Sequence, residues 1–261
     1  MHTIRNYIMA ESLEQAWELN QKGRNNVIIG GNLWLKMGNR NILNAIDLST
    51  LGLDRIEEDE SGFRIGCMAT LRDIEMHEGL NKEFQNLFKE AVRHIVGVQF
   101  RNCATVGGSI FPKLGFSDVL TAFLACDTQV ILYKKGEVPL REFIYMPLDN
   151  DILTHIYVKK DGRKTAYESF RMTETDFPTL TCAMTMVDGR FETVLGARPK
   201  HAEVVIDEEL ADSLSKEDVA SYAKRVIDKL QYGSNIRGSK QYRKQLSKVL
   251  ISRCISRLTE E

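Results

Sequence analysis

Two short segments place paired glycines directly after a run of apolar or β-branched residues: "VIIGGNLW" at residues 27–34 and "TVGGSI" at residues 105–110. Glycine loses more conformational freedom on folding than any other residue, so a pair marks a tight turn or a close approach to the backbone. Each pattern predicts a strand that ends in a turn. We therefore expect two strand–turn units of the same design.

Two interpretations of these turns remain open from the residues alone. Without Cβ atoms, backbone N–H groups can converge on one point and form an anion-binding nest. Two nests could grip a pyrophosphate, and Asp118, which follows the second, offers an acceptor suited to a ribose hydroxyl. This interpretation predicts a nucleotide cofactor held mainly by main chain. The alternative is two plain tight turns, since neither segment is a GxGxxG or a GxxxxGK[ST] motif.

Size and charge exclude several classes of protein. The chain has 261 residues, 43% of them hydrophobic, which is enough for one large domain or two ordinary ones. A net charge of −1 gives no electrostatic basis for holding nucleic acid or anionic lipid. The first twenty residues contain no apolar run long enough for a signal peptide or a membrane span. We therefore expect a cytoplasmic protein.

The five cysteines are scattered, and no two of them lie within 20 residues of each other. This spacing favours buried reduced thiols over a disulfide framework or a set of zinc or iron–sulfur ligands. The histidines show no ligand spacing either. Any metal centre that works with this protein is thus expected on another chain.

The arrangement of predicted strands and helices changes near residue 147. Before it, strands alternate with helices, and after it a series of strands with turns at Asp161-Gly162 and Asp188-Gly189 predicts an antiparallel meander. We therefore predict two domains, 1–147 and 148–261. The predicted helices are 12–23, 70–78, 83–97, 118–125, 216–229 and 239–258.

Lysine and arginine are dense between residues 237 and 257. A helix that binds nucleic acid is one interpretation. The other, which we favour, is a solvated or partner-facing helix with its apolar side chains packed inward. Those side chains are Tyr242, Leu246, Val249 and Leu250.

Three motifs in order resemble one known family. They are "VIIGGN", then "VQFRNCATVGGSI" with "SDVLTAFLACDTQVIL", and finally "SNIRGSKQYRKQLSKVL". Together they resemble the FAD-binding medium subunit of the molybdenum hydroxylases, the xanthine dehydrogenase and carbon monoxide dehydrogenase family. The resemblance covers nearly the whole chain.

The resemblance implies FAD and an α+β fold. The implied fold is a two-part FAD-binding domain of the molybdopterin-dehydrogenase, vanillyl-alcohol-oxidase-like type, followed by a smaller domain with a three-stranded antiparallel sheet and helices. It also implies that Asp118 holds sugar hydroxyls and that Ile95 and Leu153 contact the cofactor. The implied loop residues are Val27, Ile28, Ile29, Gly30, Gly31, Asn32, Leu33 and Trp34 in the first loop, and Thr105, Val106, Gly107, Gly108 and Ser109 in the second. Trp34 is interpreted as a core residue in preference to a stacking partner. Valine at Gly107 or Gly108 is expected to exclude FAD and leave the fold intact.

The implied function is electron transfer within a multi-subunit enzyme. An iron–sulfur subunit would supply electrons, a molybdopterin subunit would oxidise the substrate, and NAD or another acceptor would be reduced. One alternative is a non-catalytic nucleotide-binding or assembly subunit with a degenerate FAD site. Another is a free-standing flavin oxidase on a related fold.

The chain departs from the family pattern in both loops and near residues 168–173. Leu33 stands where the first loop commonly has an acid, and Ser109 where the second commonly has asparagine. Glu168 stands near a position that is often lysine, and Met172 and Thr173 replace paired arginines near the flavin. Because a cation beside a flavin stabilises its reduced anion, the departures predict altered redox tuning.

Overall fold

The computed structural model describes residues 3–207 and 215–259. Strands and helices are both distributed along the chain. Over the described residues the strands are β1 (Thr3–Met9), β2 (Asn26–Ile29), β3 (Asn41–Asp47), β4 (Ile56–Glu58), β5 (Gly62–Gly66), β6 (Thr128–Leu132), β7 (Gly136–Pro139), β8 (Leu153–Lys159), β9 (Lys164–Phe170), β10 (Leu180–Val187), β11 (Arg190–Gly196) and β12 (Glu203–Ile206). The helices are α1 (Leu13–Gln21), α2 (Leu71–Met76), α3 (Glu78–Glu83), α4 (Leu87–Val92), α5 (Val98–Arg101), α6 (Val106–Ile110), α7 (Asp118–Ala125), α8 (Leu140–Phe143), α9 (Lys216–Lys229) and α10 (Lys240–Thr259).

The chain forms two compact units that are discontinuous in sequence. The first contains the residues up to Asp73, together with Val98–Pro112 and Thr128–Val158. The second contains Ile74–Gly97, Lys113–Asp127 and the residues from Lys159 onward. The predicted linear boundary at 147 does not coincide with this division, because strand β8 pairs with β6 of the first unit.

A three-stranded parallel sheet in the first unit positions the first glycine pair. Its strand order is β1-β3-β2, and β3 pairs in parallel with both neighbours. Helix α1 connects β1 to β2; it begins after Ser12, whose side chain accepts a hydrogen bond from the Gln15 N–H, as the sequence predicts. Ile29, at the end of β2, packs with Ile42 and Ala45 of β3 in a small buried core beneath this sheet.

A second sheet of the first unit has five strands in the order β4-β5-β8-β6-β7. Strands β4 and β5 form a hairpin, and its turn is held by Asp59 Oδ1, which accepts from the N–H groups of Ser61 and Gly62. The sequence had predicted β8 as part of the later meander. It lies in this sheet because its apolar residues, including Leu153 and Ile156, are buried beside β6.

The second unit is built on an antiparallel sheet with the order β12-β11-β10-β9. The sheet has four strands, one more than predicted, because Glu203–Ile206 also pairs with β11. Helices α9 and α10 contribute to the core cluster of this sheet, through side chains such as Val226, Leu250 and Cys254. The turn predicted at Asp188-Gly189 forms between β10 and β11, with positive φ at both residues. Gly162 also has positive φ, but the hairpin predicted at Asp161-Gly162 does not form, because β8 and β9 belong to different sheets.

Of the predicted helix 83–97 only α4 forms, because α3 ends at Glu83 and residues 84–86 separate the two helices. Gln85 and Asn86 have φ values of 41° and 64°, which no α-helix tolerates. The buried Asn81 side chain stabilises the break, because its amide donates to three backbone carbonyls and its oxygen accepts from the Lys89 N–H. Of the apolar residues that predicted this helix, Leu87, Phe88 and Ala91 lie in α4, whereas Phe84 and Ile95 lie outside it.

The cysteines are free thiols, and four of the five are buried as predicted. Cys103 is exposed, contrary to that prediction. Among the described residues, no group of three or more His, Cys, Asp or Glu side chains is arranged to hold a metal ion. None of the described helices combines the length and the apolarity needed to cross a bilayer.

Candidate functional site

The first glycine loop leaves β2 at the carboxyl edge of the parallel sheet, the edge at which open α/β sheets bind ligands. Within the described chain, no acceptor is hydrogen-bonded to the backbone N–H groups of Gly30, Gly31, Asn32 or Leu33. Asn32 adopts a left-handed conformation with φ of 53°, and its side-chain oxygen is buried without a partner. Free amides around a left-handed residue form an anion-binding nest.

The second glycine loop lies directly against the first. A Cβ atom on Gly30 would stand 2.5 Å from Thr105 Oγ1, and one on Gly31 would overlap the Cys103 carbonyl. The structure therefore brings together the two turns that the sequence singled out. It also shows why the first turn needs glycines, since any side chain there would push the loops apart.

The second loop uses its own backbone donors differently from the first. The strand and turn predicted at residues 105–110 are wrong, because Thr105 caps the short helix α6, which contains Gly107 and Gly108. The N–H groups of residues 106–109 are all bonded within the protein, so they do not form a second free nest. The pairs are Val106 to Ala69 O at 2.8 Å, Gly107 to Cys67 O at 2.9 Å, Gly108 to Thr105 Oγ1 at 3.1 Å and Ser109 to Thr105 O at 3.1 Å.

The two glycines of the second loop have different surroundings. A Cβ atom on Gly107 would lie 2.7 Å from the Cβ and carbonyl oxygen of Cys67. Gly108 is exposed, and a Cβ there would meet only Thr105 Oγ1, at 2.9 Å. The expectation that valine at Gly107 would spare the fold is therefore wrong, because protein already fills the space that its side chain would need.

The apolar residues predicted beside the cofactor lie in three environments. Trp34 is 44% exposed, so its interpretation as a core residue is wrong. Leu153 is buried in β8, where it pairs with Leu132. Ile95 is half-buried just beyond α4, in the second compact unit.

Asp118 lies in the second unit as the first residue of α7, a helix that Ser117 caps. Its carboxylate is bonded on both sides: Tyr167 Oη donates to Oδ1 at 2.5 Å, and Arg171 Nη2 lies 2.6 Å from Oδ2. Asp118 is 4% exposed and the Arg171 side chain 6%. Burial raises the pKa of Asp118, while Arg171 and Tyr167 act in the opposite direction.

A polar cleft of about 190 Å³ adjoins this pair in the second unit. Its lining is almost entirely charged or polar. Arg171 forms part of the wall, and its Nε is buried with no hydrogen-bond partner among the described residues. The lining residues are Glu90, Arg93, His94, Tyr167, Glu168, Ser169, Arg171, Glu174 and Arg257.

Sequence reasoning missed Tyr167, Arg171 and Arg257. Arg257 Nη2, on α10, lies 2.6 Å from Glu168 Oε1. Arg257 therefore balances the negative charge of Glu168, the residue that stands near a position that is often lysine in the family. Tyr167 and Arg171 reach Asp118 from β9 and the residue after it. No local spacing connects these residues, since about 50 residues or more separate the members of each pair.

A comparison with known families decides the class of this site. The family described as "FAD binding domain in molybdopterin dehydrogenase" matches residues 2–158. The chain belongs to this family. Its cofactor is FAD, and the predicted fold class is confirmed. The free amides of the first loop suit a diphosphate-containing cofactor.

Relatives extend the resemblance beyond residue 158. The chain is 26% identical over 267 residues to the glyceraldehyde dehydrogenase medium chain of Sulfolobus acidocaldarius, covering 94% of each chain. It is 24% identical over 281 residues to subunit alpha of the 6-hydroxypseudooxynicotine dehydrogenase complex of Paenarthrobacter nicotinovorans, covering 96% of this chain and 93% of the other. A solved structure of carbon monoxide dehydrogenase from Hydrogenophaga pseudoflava shares the fold, with a TM-score of 0.84, 23% identity and 96% coverage of both chains.

Proposed function

We propose that this FAD-binding subunit of the molybdenum hydroxylase family is the electron-transfer member of a cytoplasmic, multi-subunit enzyme of the xanthine dehydrogenase-like type. It would take electrons from an iron–sulfur subunit and pass them to NAD or another acceptor. The observation that carries the proposal is the set of free amides at Gly30–Leu33, packed against Thr105 within the segment that matches the FAD-binding family. Bound FAD supplies the reversible redox chemistry.

The chain's own residues would bind and orient the cofactor. The first loop, Val27–Trp34, would hold the diphosphate through main-chain N–H groups. The second loop, Thr105–Ser109, would act as the wall that fixes the first loop, because its own donors are already used. Asp118 would accept from sugar hydroxyls, and Ile95 and Leu153 would provide apolar contacts.

The names of the similar proteins support a substrate site on a different subunit. They refer to glyceraldehyde, 6-hydroxypseudooxynicotine and carbon monoxide, which share little chemistry. Similar chains that accompany such different substrates are expected to serve a shared step. We place substrate oxidation on a molybdopterin subunit and electron delivery on an iron–sulfur subunit.

We expect the purified chain to be yellow and to bind one FAD, because free amides in a preformed nest are available for the diphosphate. The measurement is the absorption spectrum together with FAD released on denaturation. Protein that stays colourless after incubation with FAD would instead support a scaffold with a degenerate site.

Substrate turnover by the chain alone would support a free-standing oxidase. NAD reduction by the assembled complex tests the acceptor.

Two alanine variants should affect different properties: Gly108→Ala should weaken FAD binding, and Gly107→Ala should destabilise the fold. Gly108→Ala adds a methyl group to an exposed site, so we expect FAD affinity to fall about tenfold, or 1.4 kcal/mol, with little change in stability. Gly107→Ala must displace Cys67, so it should destabilise the fold by about 1–3 kcal/mol. FAD titration and urea unfolding measure the two effects, and similar stability losses in both variants would contradict the assignment.

A further inference from the structure

Two of the five cysteines lie with their sulfur atoms in contact. Cys182 is on β10 and Cys254 is on α10, and their Sγ atoms are 3.8 Å apart. Both are free thiols, and both are fully buried. Because 72 residues separate them along the chain, the spacing that predicts single buried thiols does not reveal this pair.

Helix α10 carries Cys254 on the face that packs into the core of the second unit. The buried residues of this face recur at helical spacing. They are Arg243, Ser247, Leu250, Ile251, Cys254, Ile255 and Leu258. Of the residues that the sequence predicted to pack inward, Leu250 is buried and Leu246 is partly buried. Tyr242 and Val249 are 41% and 46% exposed, so that prediction is wrong for both of them.

A second contact beside the thiols fixes how α10 lies on the sheet. Cys182 is the cross-strand partner of Glu168 on β9, so the two side chains share one face of the sheet. Arg257 follows Cys254 by about one turn of α10, and its Nη2 atom lies 2.6 Å from Glu168 Oε1. Arg257 Nη1 also donates to the carbonyl oxygen of Tyr167 at 3.3 Å. Neighbouring positions of the helix thus meet neighbouring positions of the sheet, which holds Cys254 opposite Cys182.

The two thiols are close enough to bond but are protected while α10 is packed. The sulfur atoms of a disulfide are about 2.0 Å apart, so these two must approach by about 1.8 Å. Rotation about the two Cα–Cβ bonds, with a small shift of α10, supplies this movement. Burial raises the pKa of Cys182 well above its usual range, which keeps it a protonated and unreactive thiol. Oxidation therefore requires the end of α10 to open.

The position of Cys254 favours such an opening. It lies within the last two turns of α10, and helix ends open at a lower free-energy cost than the centre of a core. Only one side of these turns is buried, since Ser252, Arg253 and Ser256 are exposed. Opening of these turns would release Cys254, while β10, an inner strand of its sheet, keeps Cys182 in place.

We propose that Cys182 and Cys254 are a site of reversible oxidation, at which a small-molecule disulfide such as oxidised glutathione joins them covalently. The Cys254 thiolate attacks the oxidant, which forms a mixed disulfide and releases one glutathione thiolate. The Cys182 thiolate then attacks Cys254 Sγ, which forms the bond between the two cysteines and releases the second glutathione. The cysteines lose two protons and two electrons, and oxidised glutathione becomes two glutathione thiols.

The disulfide would tie α10 to β10. Closing a loop of this length restricts the unfolded chain and so stabilises the fold. The bond would also hold Arg257 against Glu168 and Tyr167, and all three line the polar cleft of the second unit. Glutathione and thioredoxin keep cytosolic thiols reduced, so a cytoplasmic protein would carry this bond only under oxidising conditions. Oxidation would therefore fix one wall of the cleft.

The direct test maps disulfides in the whole chain, supplied with FAD and incubated with oxidised glutathione at pH 8 over a day. After an acid quench and removal of the oxidant, the remaining thiols are alkylated in urea. Peptides from a digest without reductant are then identified by mass spectrometry. We expect a pair of peptides joined through Cys182 and Cys254, and glutathione on the exposed Cys103. Recovery of Cys182 and Cys254 without a bond between them would overturn the proposal.

Matched variants measure the effect of the bond on stability. Each carries Cys103→Ser, so that only buried thiols remain. Oxidation should raise the equilibrium constant for folding at least about tenfold, measured by urea unfolding at one FAD concentration, and dithiothreitol should reverse the gain. Cys254→Ala should abolish the gain, whereas Cys126→Ala, the same change at another buried cysteine, should retain it.

Each variant is compared with itself before and after oxidation, so the cost of the alanine substitution cancels. An equal gain with and without Cys254 would overturn the proposal. The same holds if oxidation does not stabilise the Cys103→Ser chain.

Discussion

Replacing Arg171 by methionine is expected to lower the free energy of unfolding by about 3–5 kcal/mol at pH 8, the usual cost of leaving a buried charge without its partner. The Asp118 carboxylate is 4% exposed, and its Oδ2 atom lies 2.6 Å from Arg171 Nη2. Methionine retains most of the side-chain volume and removes the cation, together with the hydrogen bond that Arg171 Nη1 donates to Ser169 Oγ. Tyr167 can still donate to Oδ1, but a neutral hydroxyl does not balance the charge.

The loss of stability should depend on pH in a defined direction. Burial already raises the pKa of Asp118, and removing Arg171 raises that pKa further. The folded variant then holds a proton that the unfolded chain has released, so its stability falls as pH rises from the ordinary Asp pKa of about 3.9 through the raised one. The deficit relative to the unchanged protein should therefore be largest at pH 8 and shrink towards pH 5.

A second substitution distinguishes lost charge balance from lost packing. In the Arg171→Met background, Asp118→Asn removes the unpaired charge and keeps the shape of the side chain. We expect it to restore stability at pH 8, measured by urea unfolding with FAD at the same multiple of each variant's dissociation constant, so that bound FAD stabilises every sample equally. A deficit of equal size at pH 5 and pH 8, or no recovery with asparagine, would show that the ion pair does not hold this part of the fold.

The elements that the sequence predicts well are those with local signals. Helix α7 has the predicted bounds, because Ser117 caps it and a continuous apolar run follows. Helix α9 also matches, since Ser215 and Asp218 form a capping box at its start. The break between α3 and α4 depends on hydrogen bonds of the buried Asn81, which no periodicity reveals.

The candidate site shows the same division between local and distant information. Paired glycines identify the two turns, yet the sequence cannot tell that the second turn has used its own donors. Nor does it show that Asp118 is paired with Tyr167 and Arg171, 49 and 53 residues further along. The negative charge of Glu168 suggested an electrostatic departure, but Arg257 from α10 compensates it at 2.6 Å. Tertiary pairing of this kind is set by the fold and not by spacing.

The largest effect on cofactor binding is expected from Gly31→Ala. A Cβ atom at residue 31 would overlap the carbonyl group of Cys103, and the overlapped atoms are backbone that cannot rotate away. Because the φ of Gly31 is not positive, the cost is steric and comes entirely from the packing of the two loops. The first loop must move, and with it the amides of Gly30 and Asn32.

We expect Gly31→Ala to weaken FAD binding at least about 100-fold, or 2.8 kcal/mol, and to destabilise the chain by about 1–3 kcal/mol. Gly30→Ala should be milder, because Thr105 Oγ1, the atom in its way, belongs to a side chain, and moving it costs only its hydrogen bond from the Gly108 N–H. Gly23→Ala is the matched control: no atom lies within 4 Å of the added Cβ, and its φ is not positive. Fluorescence titration with FAD and urea unfolding measure the three variants. If Gly31→Ala bound FAD as tightly as Gly23→Ala, contact between the loops would not be what shapes the diphosphate nest.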